Sequence, residues 1–194
     1  FIKTGMYKNI LVIGSGFHSG GLDMTTRGRD ISVIFGDGAG AIIMTREENN
    51  LVGVLNSQLH SEGKHAKELS LIGPATGRWI PEIIEDNDPE DISYYPYMNG
   101  QFVFKNAVVR FTEVINAGLK KAGWEPNQID MLIPHQANLR IAQYVQKKFG
   151  LDDNQVFNNI QRYGNTTAAS IPIALTEAWE EGKIIEGSKV VLAA

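Results

Sequence analysis

Residues 129–160, IDMLIPHQANLRIAQYVQKKFGLDDNQVFNNI, decide how this chain is to be read. A short apolar run, Ile129-Asp-Met-Leu-Ile-Pro134, is followed at once by His135-Gln-Ala-Asn138 and then by a helix-patterned stretch over 139–149 that stops at Gly150. A second apolar run over 156–160 leads to Gly164-Asn165-Thr166-Thr167 and another helical stretch over 167–181, in which Pro172 must fall in the first turns. With a last strand at 190–192, this alternation predicts a mostly parallel α/β layer. Ligands of such sheets bind beyond the carboxyl ends of the strands, and His135 and Asn165 stand at two such ends.

Working outward, Phe104, Ala107, Val108, Phe111, Ile115, Leu119 and Ala122 recur at helical spacing and predict an amphipathic helix ending near Gly123. Residues 9–14 (NILVIG) read as a buried parallel strand. Residues 31–35, 40–44 and 51–57 lean towards strand, and 74–101, rich in Pro, Gly and acids, reads as a long excursion. Phe1-Ile-Lys-Thr-Gly5 resembles the last turn of a helix closing at a glycine, and the chain stops while the final strand is running. Both ends are expected to lie inside a longer protein.

The 194 residues are 43% hydrophobic and 21% charged, an ordinary globular balance, with no apolar run of membrane-spanning length and no signal-peptide pattern. Nothing points to nucleic acid, membrane or secretion. Of the net charge of −4, six negatives lie in Glu82, Glu85, Asp86, Asp88, Glu90 and Asp91, which read as a solvated loop. The segment 135–151 carries Arg140, Lys147 and Lys148 with no acid, so an acidic partner could dock there, although a helix dipole by itself favours two lysines at a C-terminal end.

The chain has no cysteine, which excludes disulfides and any thiol nucleophile within it. A neutral histidine and an asparagine amide can nevertheless hold a thioester carbonyl oxygen as it becomes an enolate. Alone, His135 would be read as structural and Asn165 as a helix cap; at paired strand ends they read as a catalytic pair. Gly36-Asp-Gly38-Ala-Gly-Ala41 formally fits a dinucleotide-binding glycine pattern, but a β-leaning run follows it, so tight turning and close packing are expected instead. His18 reads as structural, and His60, Glu62 and His65 lack the closing ligands of a metal site.

Three motifs carry a resemblance: His135-Gln-Ala-Asn-Leu-Arg140-Ile; Phe157-Asn-Asn-Ile with Tyr163-Gly-Asn165-Thr-Thr-Ala-Ala-Ser170-Ile-Pro172; and Phe35-Gly-Asp-Gly-Ala-Gly-Ala41. They are similar, in order and along essentially the whole chain, to the 3-ketoacyl-acyl-carrier-protein synthase III family. The resemblance implies a thiolase-like α/β fold, with residues 1–50 ending its first pseudo-repeat and 51–194 forming most of the second. It implies a cytoplasmic, homodimeric acyltransferase that joins acyl-CoA to malonyl-acyl-carrier protein, without metal or redox cofactor. It assigns His135 and Asn165 to decarboxylation. Gln136, Ala137, Asn138, Leu139 and Arg140, with Lys105 and Lys147, fall to carrier-protein docking. Arg29, Gly100, Phe104 and Asn138 fall to coenzyme A and pantetheine contact, with Arg27 a competitor for the place of Arg29. The family's nucleophilic cysteine would lie upstream of Phe1, and its glycine-rich oxyanion loop beyond Ala194. Two rivals stand beside this reading: a non-catalytic thiolase-like subunit that binds a carrier protein, and a nucleotide-binding module built on residues 36–41.

Overall fold

The computed structural model describes residues 1–71 and 95–194. The acidic stretch over 82–91 and most of the excursion read over 74–101 lie outside the described residues. The core is built around β5 (Met131–Pro134), paired in parallel with β6 (Val190–Ala193). All four β5 residues are buried, because alternate side chains leave the strand towards opposite layers. Leu132 joins Val108, Phe111, Ile115 and Leu119 of the long helix α2 (Gly100–Ala122) and Ile141 and Val145 of α3 (Leu139–Phe149). Met131 and Ile133 instead meet Phe157 and, from α5 (Ser170–Glu180), Ala174 and Ala178. Helices thus cover both faces of a parallel pair, the arrangement that continuous apolar strands require. Each fully buried Leu or Ile adds about 1.5–3 kcal/mol of hydrophobic stabilisation.

The helices end where the sequence places their glycines. Gly123 and Gly150 take φ of 70° and 64°, a left-handed conformation open to glycine, and their N–H groups close the last turns of α2 and α3. Asn99 and Asn138 cap the N-termini of the same helices, accepting from the N–H of Phe102 and Arg140 respectively. Pro172 is the third residue of α5, where its missing N–H costs no helical bond. At the start of the chain, Gly5 N–H bonds Ile2 O and Met6 N–H bonds Phe1 O, the paired pattern of a helix C-terminal cap.

Several strand expectations are corrected. Residues 9–14 belong to β1 (Asn9–Gly16), but it pairs antiparallel with β2 (Gly38–Thr45), and Leu11 and Ile13 are exposed. An apolar run does not encode the direction of its partner; the chain doubles back through the one-turn helix α1 (Arg29–Ser32), so the neighbours run oppositely. Residues 31–35 therefore begin helical, and only Phe35 pairs, as a single parallel bridge to Asn165. Residues 51–57 form no strand. The strand over 156–160 shrinks to a bridge between Val156 and Leu132, because the N–H groups of Asn159 and Ile160 turn to the side chain of Gln136 and the chain enters the short helix α4 (Ile160–Tyr163). Within the excursion, β4 (Tyr97–Met98) pairs with β3 (Leu69–Ser70) just before α2 begins.

The β1–β2 pair meets residues 163–172 through a strip without side chains. A Cβ added to Gly14 would strike the carbonyl of Ala168, and one at Gly40 would stand 2.6 Å from Pro172 Cβ. At Gly38 it would stand 2.9 Å from Thr166 Cγ2. The glycines of 36–41 thus serve close packing, as read from the sequence, and β2 rather than a helix follows them.

Candidate functional site

His135 is the first residue past β5. Its N–H donates to Ala193 O at 2.7 Å, adding one rung to the β5–β6 ladder, and its carbonyl accepts from Ala137 N–H at 2.8 Å as the chain turns into α3. The ring is half-buried, with Nδ1 2.6 Å from Ser170 Oγ. Burial pushes its pKa below the ordinary histidine value, because a charged imidazolium loses hydration there. At neutral pH the ring is uncharged.

Asn165 is 8% exposed. Its backbone is clamped to the 34–36 segment: Asn165 N–H donates to Ile34 O at 2.8 Å and Gly36 N–H donates to Asn165 O at 3.0 Å. Its side-chain oxygen accepts from Thr167 N–H at 2.8 Å, which leaves the amide NH₂ as the end still able to donate. Thr167 holds φ of 48°, a left-handed conformation unfavourable for a β-branched residue. Residues 165–170 thus touch both candidates, Asn165 through Thr167 and His135 through Ser170.

Gly36→Ala should lower stability by about 1–3 kcal/mol, because the new methyl would overlap the Tyr163 carbonyl and residue 36 also holds Asn165. Denaturant melts of variant and parent check this; equal midpoints would show that the close approach is not made.

Gln136 is not at the surface. It is 3% exposed; its amide donates to Pro134 O at 2.7 Å and Phe157 O at 3.3 Å, and its oxygen accepts from the N–H groups of Asn159 and Ile160. The expectation that Gln136 meets a docking partner is corrected: with all its polar atoms used inside, it ties the end of β5 to the neighbouring chain. The rest of the motif divides differently. Ala137 is half-buried against the first core, whereas Asn138, Leu139 and Arg140 are exposed at the start of α3, and Lys147 is exposed in its last turn. Gly100 and Lys105 are exposed near the start of α2, and Phe104, one turn after Gly100, packs on the same core as Ala137.

Arg27 and Arg29 have different surroundings. Arg27 lies 2.6 Å from the buried Asp23 carboxylate and over the Tyr95 ring at 5.0 Å. The Thr25 hydroxyl and then Arg27 hold the Asp23 pKa down to about 2. Arg29 has a side chain 71% exposed, with a loose 3.9 Å approach to Asp30 among the described residues. Of the three residues considered for a metal, Glu62 pairs with Lys64 and Arg110, the His65 ring packs on Phe102, and His60 is exposed. His18 donates its N–H to Asp37, hydrogen-bonds Gly36 O through its ring and stacks on Phe35, a structural set of contacts.

A supporting network escaped the sequence reading. Glu177 of α5 accepts from Asn159 Nδ2 at 2.8 Å, Arg162 at 2.6 Å and Tyr163 OH at 2.5 Å. Burial would raise the Glu177 pKa, but the Tyr163 and Asn159 hydrogen bonds and the Arg162 charge outweigh it and lower the value; Tyr163 is raised in turn. The network fixes the turn that delivers Asn165.

Two models of one protein family match this chain. Residues 1–63 match the model of 3-oxoacyl-[acyl-carrier-protein] synthase III and residues 119–194 that of its C-terminal domain. This chain belongs to the 3-oxoacyl-[acyl-carrier-protein] synthase III family. It is 40% identical over 197 residues to the beta-ketoacyl-[acyl-carrier-protein] synthase III of Caldanaerobacter subterraneus, a match spanning 100% of this chain and 56% of that protein. Among solved structures, the 3-oxoacyl-[acyl-carrier-protein] synthase III of Aquifex aeolicus superposes with a TM-score of 0.84 at 39% identity, over 100% of this chain and 56% of that one. The corresponding synthase III of Thermus thermophilus gives 0.83 at 34%, over 99% and 57%. This synthase III chain thus has the thiolase-like α/β fold and spans a little over half the length of the curated relatives it matches.

Proposed function

We propose that this chain carries the decarboxylation half of a condensing enzyme that starts fatty-acid chains from acyl-CoA and malonyl-acyl-carrier protein. The observation that carries the proposal is that one short segment, 165–170, anchors both His135 and Asn165, in a family whose named members are 3-oxoacyl-carrier-protein synthases. An acyl group first passes from coenzyme A to a thiol, which must come from outside these 194 residues because they contain no cysteine. The malonyl C–C bond then breaks, carbon dioxide leaves, and the electron pair moves onto the thioester oxygen as an enolate. Asn165 Nδ2 and His135 hydrogen-bond that oxygen, lowering the barrier most where the charge is largest. The enolate carbon attacks the acyl thioester and the thiol is released. No metal or redox group enters. The test is to follow carbon dioxide release and acyl transfer separately in enzyme bearing His135→Ala or Asn165→Ala.

The exposed basic surface supports docking of an acidic carrier protein on Asn138, Leu139, Arg140, Lys105 and Lys147, with Ala137 beneath them. Exposed Arg29 suits the phosphates of coenzyme A better than Arg27, which already serves Asp23, and Gly100 and Phe104 remain the candidates to flank the pantetheine arm. Residues 1–50 are read as the end of the first thiolase-like half and 51–194 as most of the second, in a cytoplasmic homodimer. Arg140→Glu should raise the KM for malonyl-carrier protein about fivefold at low salt, equivalent to roughly 1 kcal/mol, and leave acyl-CoA loading unchanged. An unchanged KM at low salt would remove Arg140 from the docking surface. The absence of cysteine favours a second reading, a carrier-binding subunit without catalysis, for which the His135 and Asn165 variants would bind carrier protein normally and have no activity to lose.

A further inference from the structure

Ser170 holds the His135 ring from within the buried start of α5. It is the first residue of α5, 2% exposed, beside the fully buried Ala169, and its hydroxyl stands 2.6 Å from His135 Nδ1. A neutral imidazole carries one proton, on Nδ1 or on Nε2, and a serine hydroxyl carries one hydrogen. Two arrangements fit the contact. If Ser170 donates to Nδ1, the ring proton sits on Nε2, and the serine hydrogen and the Nδ1 lone pair satisfy each other. If Nδ1–H donates to Ser170, Nε2 is left bare and the serine hydrogen needs a second acceptor in a buried setting. Among the described residues, the hydrogen bond of the Ser170 hydroxyl is to His135, and the hydroxyl makes none to the Thr166 carbonyl one turn back. A buried hydroxyl hydrogen without an acceptor is strongly disfavoured, so the first arrangement prevails.

We infer that Ser170 is a positioning residue that donates to His135 Nδ1 and thereby fixes the Nε2–H tautomer. The inference rests on the decarboxylation reading for its purpose, since only a protonated Nε2 can donate to the enolate oxygen. It also gives the two candidates one design. Thr167 N–H occupies the acceptor end of Asn165, and the Ser170 hydroxyl occupies the acceptor end of His135. Each is left with a donor. The lowered pKa of His135 keeps the ring neutral, the state in which a tautomer is defined.

The test is long-range proton–nitrogen correlation on the ¹⁵N-labelled 194-residue chain at pH 7.5, with His135 assigned by the signal lost in His135→Gln. In the parent, the proton is expected on Nε2 in a single tautomer, with Nδ1 unprotonated and hydrogen-bonded. Ser170→Ala should shift the Nδ1 resonance and mix the tautomers, and Ser170→Thr should restore the parent pattern. In enzyme that performs the condensation, Ser170→Ala should lower kcat for carbon dioxide release about tenfold to a hundredfold, as losing the orienting partner of a functional histidine does elsewhere, with KM unchanged. A parent proton on Nδ1 overturns the inference even if the alanine variant does not fold, and so does a Ser170→Ala spectrum with both ring nitrogens unmoved. The two claims fail separately. Expected spectra together with normal carbon dioxide release in His135→Ala would sink the decarboxylation reading and leave the hold of Ser170 on the ring standing.

Discussion

Replacing either His135 or Asn165 by alanine will slow carbon dioxide release from malonyl-carrier protein about a hundredfold or more, while acyl transfer to the thiol stays measurable. Each side chain supplies a donor to an oxygen whose charge develops only in the transition state, and such a donor is worth roughly 3 kcal/mol or more. Stability must be followed in parallel. Asn165→Ala also strips the Thr167 N–H of its acceptor, a loss of about 1–3 kcal/mol if the group stays buried. Asn165→Asp separates the two effects, since it keeps an oxygen for Thr167 but removes the amide donor. The assay reads carbon dioxide, acyl-enzyme and melting temperature side by side. If both half-reactions decline in step with stability, His135 and Asn165 are structural and the catalytic assignment falls.

The second large effect is an absence. The 194-residue chain alone will form no acyl-enzyme from radiolabelled acyl-CoA, because covalent catalysis of this kind needs a thiolate and the chain has no cysteine. The label should remain with coenzyme A through gel filtration and be absent from protein precipitated under conditions that preserve thioesters. Thioester-linked, hydroxylamine-sensitive label on the chain would contradict this directly.

The sequence disclosed the central layer because its signals are local. The apolar β5 run, the helical spacing along α2 and the glycines after α2 and α3 each act within a few residues, and the structure follows them. His135 was visible at a strand end for the same reason, whereas Asn165, expected at the end of a strand over 156–160, follows the short helix α4 and pairs with Phe35. What stayed hidden was pairing at a distance. Nothing in residues 9–14 says that β1 runs antiparallel to β2, and nothing in 156–160 says that Gln136 draws the N–H groups of Asn159 and Ile160 away from the sheet. Gln136 itself reads as one polar residue among exposed neighbours, and its burial depends on carbonyls at Pro134 and Phe157. Glu177 and Ser170 sit in helical patterns that call for no partner, so their contacts become legible only once α5 is placed.

The glycine strip between β1–β2 and residues 163–172 has a consequence for recombination between relatives. Both candidate donors lie beyond residue 50, yet the 163–172 segment, which carries Asn165 and touches the His135 ring through Ser170, rests on Gly14, Gly38 and Gly40, where a single methyl has no room. Leu11, Ile13 and Ile43, on the same two strands, point away from this seam and are exposed within these 194 residues. A chimera joining the first part of one homologue to the second part of another would therefore be decided at this seam. Mismatch by one carbon atom there would disturb His135 and Asn165 together, although every motif around them had been inherited intact.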